Sequence, residues 1–167
     1  MNNEPLPNHL NPLVSAAVAS VINSAFETGL NPAWFQVDSL NRDGFLDAAF
    51  ASGLGGKLDA TASGKPLRVD WKLRGRLNED GYKSPWREVT AEFAIAQWAR
   101  MARGECSAEG TLGCMQEKAA AYLKYLRLLD RGEFAEADEV LFDEYEPDGI
   151  HDDALAQYVF ADAVVFG

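Results

Sequence analysis

The chain has 167 residues and a formal net charge of −11, with 47% apolar and 25% charged residues. At this length folding buries roughly 70% of the surface an extended chain exposes, which is enough for one domain with a real core. The apolar fraction excludes a largely disordered chain, and no run approaches the ~18 consecutive apolar residues that a membrane-spanning helix needs, so no membrane partner is expected.

Residues 1–11, with Pro5, Pro7 and little apolar material, read as a flexible lead-in to a single globular domain over 12–167. No basic segment followed by a small-residue cleavage site stands near Met1, so the expected setting is cytoplasmic. Asn11 and Pro12 have the form of an N-cap and first helical residue, and Val14, Val18, Val21, Ile22 and Ala25 then recur at helical spacing up to Gly29. The same opening at Asn31 and Pro32 predicts a second, shorter helix through Val37, broken at Asn41 to Gly44.

Beyond Gly44 the texture changes. Leu67, Val69, Trp71 and Leu73 alternate with Arg68, Asp70, Lys72 and Arg74, which predicts a strand, and its nearest candidate partners are 57–62 and 45–50. A small antiparallel sheet around residues 45–75 follows, with the basic side chains on its open face. Ser84 and Pro85 begin a further predicted helix carrying Trp86, Val89, Phe93 and Met101. Cys106 and Cys114 lie eight positions apart across a Gly-containing segment, and the expected compartment makes them thiols.

Met115, Ala119, Tyr122, Leu126 and Leu129 form one apolar stripe ending at Gly132, and Phe134, Ala137, Leu141 and Tyr145 form another directly after it, so an antiparallel helical hairpin is predicted. Residues 154–166 read as a last helix returning to the core, with Val164 to Phe166 also readable as a terminal strand. The fold class is therefore α+β, predominantly helical, with about five or six helices and one small sheet.

The charge is unevenly placed. Residues 1–129 hold fourteen acids and fourteen bases, whereas 130–167 hold twelve acids against Arg131 alone, so that acidic C-terminal helical part carries the entire imbalance. Residues 65–103 are locally basic, yet −11 repels a polyanion at long range, so direct nucleic-acid binding is not expected.

Three segments invite chemistry. Asn41, Asp43, Gly44 and Asp47 place oxygen-bearing side chains around a Gly turn, as loops wrapping a hard cation do, and the spacing is similar to the calcium loops of integrin-type propeller repeats. Ser39 stands where that pattern has its first Asp, and an Asp-Gly turn accounts for the same residues. A looser echo, Glu144, Glu146, Asp148, Gly149 and Asp152, surrounds His151. The segment GLGGKL has Ala51 and Leu58 where a phosphate-binding loop needs Gly and a hydroxyl.

The third is the acidic end itself. On a helix, Glu133, Glu136, Glu139 and Asp143 fall opposite Phe134, Ala137, Leu141 and Tyr145, and Glu144, Glu146 and Asp148 continue the acidic run. No nucleophile, acid–base pair or cofactor motif stands out, so no catalytic residue is assigned and no cofactor beyond calcium is considered. The expected role is a non-enzymatic interaction module. Its carboxylates would dock onto a basic partner, including one whose surface normally holds nucleic-acid phosphates, and so act as an inhibitor or accessory factor. Two alternatives are a homo-oligomer pairing its basic middle with its acidic end, and a calcium-regulated protein using the 41–47 loop.

Overall fold

The computed structural model describes residues 4–28, 32–38, 42–50, 69–79, 81–108 and 113–167. In chain order these form α1 (Pro12–Thr28), a 3-10 turn (Pro32–Trp34), β1 (Phe35–Val37), α2 (Arg42–Ala49), β2 (Leu73–Glu79), β3 (Tyr82–Lys83), β4 (Arg87–Val89), α3 (Ala91–Ala102), β5 (Ser107–Ala108), α4 (Gln116–Asp130), α5 (Phe134–Glu139), a π-helical segment (Val140–Tyr145), α6 (Gly149–Ala161) and β6 (Ala163–Val164). The α+β, mostly helical class read from the sequence is the observed one.

The start of α1 follows from its first residues: Asn11 Oδ1 accepts from the Leu13 N–H at 3.0 Å, with Pro12 pre-set for the first turn. Its buried side, Val14, Ala17, Val18, Val21 and Ile22, packs on α6 and α2. From Glu4 onward the lead-in makes contacts with α4. Arg127 pairs with Glu4 and donates to the Pro5 carbonyl, while Asp130 accepts from Asn8 N–H and Asn11 Nδ2.

The sheet lies later in the chain than the alternation suggested. Trp71 precedes the strand and is buried, its indole N–H donating to Ser15 Oγ at 2.8 Å. β2 is the central strand. It pairs antiparallel with β1 (Gln36 opposite Arg76) on one edge and with β4 (Arg74 opposite Glu88) and β3 (Asn78 opposite Lys83) on the other. Between β3 and β4 the ladder is kept by Ser84, whose N–H donates to Leu77 O at 2.9 Å and whose hydroxyl accepts from Leu77 N–H at 2.8 Å.

Three expected elements are corrected here. Residues 45–50, expected as a strand, fall in and just after helix α2, because Phe45, Ala48 and Ala49 are buried at helical spacing. The helix expected from Pro32 is one 3-10 turn running into β1, and the helix expected from Ser84 begins only at Ala91. Thr90 sets that start by accepting from the Phe93 N–H at 3.1 Å, and the preceding residues belong to β4. The partner strand expected at 57–62 and the GLGGKL segment lie outside the described residues.

The helical hairpin is as expected. α4 and the α5–π unit are joined through Gly132 at φ 75°, and α4 packs against both halves of that unit. α6 is enclosed on every side: Asp152 to Phe160 are all buried, between α1, α3 and the sheet. Its Phe160 ring approaches β2 so closely that a Cβ on Gly75 would stand 2.9 Å from Phe160 Cε1 and 3.0 Å from the Gln36 carbonyl oxygen. Trp98 of α3 donates to the Leu155 carbonyl at 3.1 Å. After α6, Asp162 turns the chain at φ 58°, and β6 runs parallel to β5.

The cysteines are not thiols. Cys106 and Cys114 are disulfide-bonded with Cα atoms 6.2 Å apart, closing the connection between α3 and α4. The thiol expectation rested on compartment alone, whereas α3 and α4 pack side by side and bring the two ends of this short connection within bridging range. Among the described residues no helix is long and apolar enough to cross a membrane.

Candidate functional site

The α5–π unit has a buried and an open side. Ala137, Val140, Leu141 and Tyr145 are buried, and in the π stretch the ladder widens so that Glu146 N–H donates to Leu141 O at 2.9 Å. Glu136, Glu139 and Asp143 are exposed on the outer arc, and among the described residues no cation pairs with them. Phe134, expected to face the core, is 51% exposed, and Phe142 is 47% exposed. The rest of the expected stripe, Ala137, Leu141 and Tyr145, does face the core, and only Phe134, the first residue of α5, does not.

The other predicted acids do not extend that arc as free charges. Glu133 pairs with Arg131, Glu144 with Lys124 and Glu146 with Lys118, at 3.0, 2.9 and 2.9 Å respectively. The Lys118 hydrogen bond and charge hold the Glu146 carboxyl below its ordinary range. Asp148 caps α6, accepting from Ile150 N–H at 2.8 Å. Four of the seven acids therefore answer to neighbours within the chain, chiefly the lysines of antiparallel α4.

Beneath the π segment lies a cleft of about 270 Å³ where α1, α4, the π segment and α6 meet. Ser20 and Ser24 come from α1, Tyr122 from α4, Leu141 and Tyr145 from the π segment, and Asp148 and Asp152 from the start of α6. Tyr145 donates its hydroxyl to Asp152 Oδ1 at 2.5 Å, and Ser24 makes a second side-chain hydrogen bond to the same carboxyl. Burial outweighs these bonds and pushes the Asp152 carboxyl above its ordinary pKa. Burial likewise raises the Tyr145 phenol, with Asp152 adding to the effect, so this hydroxyl stays protonated and donates. Tyr122 donates to the Ala17 carbonyl at 2.8 Å, and its ring centroid lies 4.8 Å from that of Tyr145. His151, beside the cleft, holds its Nδ1 2.7 Å from the Glu146 carbonyl oxygen and sets its ring against Tyr145.

No protein-family model, curated protein or solved structure matches this chain. Its own side chains carry the functional argument.

The described part of the calcium-like segment is helical. Asp43 and Asp47 fall within α2, one helical turn apart, where a rigid backbone does not wrap a cation as alternating loop residues do; Asn41 lies outside the described residues. Among the described residues no group of three or more His, Cys, Asp or Glu is placed to hold a metal ion. The looser echo at 144–152 divides: Glu144 and Glu146 pair with lysines, while Asp148 and Asp152 both line the cleft.

The basic middle is largely engaged at home. Arg74 and Arg76 stack over the Trp86 ring at 4.6 and 4.5 Å and bond to Asp38 and Gln36 across the sheet. Arg87 makes a bidentate pair with Asp162, which also accepts from Gln97. These bonds, the Arg87 hydrogen bonds first, hold the Asp162 carboxyl below its ordinary range. Sequence reading missed this network because its members lie more than sixty residues apart. The cleft left a fainter trace: Ser20 and Ser24 at i,i+4 in an apolar helix.

Proposed function

We propose that the chain is a non-enzymatic docking module that meets a basic protein partner through the outer arc of α5 and the π segment, as an inhibitor or accessory factor of a nucleic-acid-handling protein. The observation that carries this reading is the pairing of free carboxylates with exposed aromatic rings on an anchored element. Glu136, Glu139 and Asp143 are exposed on the same short unit as Phe134 and Phe142, while Ala137, Leu141 and Tyr145 fix the other side in the core.

Scattered exposed apolar residues are ordinary, but two Phe on one short unit amid like charges form the mixture that interfaces favour. Aromatic rings supply buried area, and the carboxylates steer encounter and match a positive surface. Where that surface normally grips phosphates, carboxylates offer oxygens of the same charge to the same donors.

The test is capture of basic proteins from a cell lysate by the intact chain and by a Glu136→Lys, Glu139→Lys, Asp143→Lys variant. All three positions are exposed, so the variant should keep its helical circular dichroism. The expected result is loss of the captured basic proteins with the variant, and displacement of those held by the intact chain when duplex DNA is added. Equal capture by both chains overturns the reading.

A further inference from the structure

The cleft under the π segment is lined by two carboxylates, two serines and two tyrosines, with no Lys or Arg in its wall. Asp152 is only 7% exposed, and among the described residues no Lys or Arg pairs with it; its hydrogen-bond partners are the hydroxyls of Tyr145 and Ser24, and the neighbouring His151 acts on it only electrostatically. A carboxylate has about four lone-pair directions, so two donors leave room for a ligand. A buried carboxyl without a hydrogen-bonded cation is costly to ionise, and one that lines a cleft gains from a ligand that brings the opposite charge to it.

The rest of the wall narrows the ligand. Val21, Leu141 and Pro147 are apolar, as are the ring surfaces of Tyr122 and Tyr145. A calcium ion wants six to eight oxygens and several acids, whereas this wall mixes one buried carboxylate, a second at the mouth, aromatic rings and aliphatic groups. Such a mixture suits a single positive charge on a hydrocarbon stem, because tyrosine rings attract organic cations and the aliphatic residues cover the stem.

We propose that this cleft binds one organic cationic group, an ammonium or a guanidinium, seated on Asp152 with Ser24 and Tyr145 fixing the carboxylate and Asp148 at the entrance. The group is either a free small amine or the tip of a Lys or Arg side chain presented by another protein. A volume of about 270 Å³ takes such a tip and its stem and little more. The proposal does not depend on the outer arc of α5: the cleft binds its cation whether or not that arc docks a partner.

The experiment titrates the full-length protein with butylammonium, butylguanidinium and blocked Lys and Arg peptides, followed by amide chemical shifts. Saturable shifts at residues of the cleft are expected with the cations, and none with butanol at the same concentration. Asp152→Asn should weaken binding by at least roughly tenfold, the scale of losing a charge-assisted contact. Should that variant fail to fold, Ser20→Leu, which fills the entrance without touching the buried carboxylate, is expected to block binding instead. Peptides that bind at least about tenfold more tightly than the free amines identify a protein side chain as the ligand; equal affinities identify a free amine. No saturation by any cation up to about 10 mM, a range covering even weak fragment binding, overturns the proposal. So does equal binding of butanol, or of every cation to the variants. The Glu136, Glu139 and Asp143 reversal leaves this binding intact, so failure here and failure of the docking arc are read separately.

Discussion

A carboxyl group held at 7% exposure in the wall of a cleft has a direct thermodynamic consequence at Asp152. Burial raises its pKa in the folded chain above its unfolded value. Between those two values the folded state binds more protons than the unfolded state, so this group's contribution to stability is fully present below the unfolded pKa and is lost as pH rises through the folded one. Asp152→Asn removes the titration and keeps an oxygen that can accept from Tyr145. The stability of the variant relative to the parent should therefore increase from pH 4 to pH 7, read as the shift in urea midpoint. A relative stability that falls over that interval would mean that the ionised carboxylate is held more favourably than its surroundings imply. This behaviour was not legible in the chain's order. Asp152 follows His151 in a stretch that reads equally well as a solvated helix start, and only the packing of α6 against α1 and the π segment buries it.

Elements that repeat one physical rule were legible, and elements set by a partner were not. α1 and α4 carry apolar residues at helical spacing and clear ends, and their observed spans, Pro12–Thr28 and Gln116–Asp130, follow the pattern. β4 and β1 are short, the proline openings before them resemble helix starts, and their conformation is fixed by pairing with β2. α6 displays no single apolar face because all its faces are buried. The connection from α3 to α4 was misread for another reason, since its disulfide depends on chemistry that spacing does not reveal. Closing a separation of eight residues removes about 2–3 kcal/mol of unfolded-state entropy by the chain-entropy account. Cys106→Ala with Cys114→Ala should lower the unfolding free energy by that amount and make the protein insensitive to reductant. A loss below about 1 kcal/mol would mean that the Gln116 bond to the Ala102 carbonyl and the Tyr158 bond to the Glu105 carbonyl already hold the connection in place.

Across the molecule the uneven charge seen in the sequence is partly resolved inside the fold. Arg87 and Arg100 from the basic middle reach Asp162, and Lys118 and Lys124 reach Glu146 and Glu144, so some of the pairing expected between subunits occurs within one chain. Among the described residues Glu136, Glu139 and Asp143 on the outer arc stay without a paired cation. Two opposing salt effects follow. Screening weakens exposed ion pairs, each worth about 0–1 kcal/mol, and it also relieves the self-repulsion of a chain at −11. The second should prevail, because most of the pairs are exposed on at least one side while the repulsion is shared by the whole acidic third. The melting temperature is thus expected to rise as sodium chloride goes from about 0.01 to 0.3 M, which shortens the screening length from about 30 Å to below 10 Å. The Glu136→Lys, Glu139→Lys, Asp143→Lys chain, whose net charge moves by two units at each site from −11 to −5, should gain less. A parent chain that melts lower in salt would assign the larger share of its stability to the lysine and arginine pairs, and would leave the exposed arc without the energetic cost that a docking surface is expected to carry.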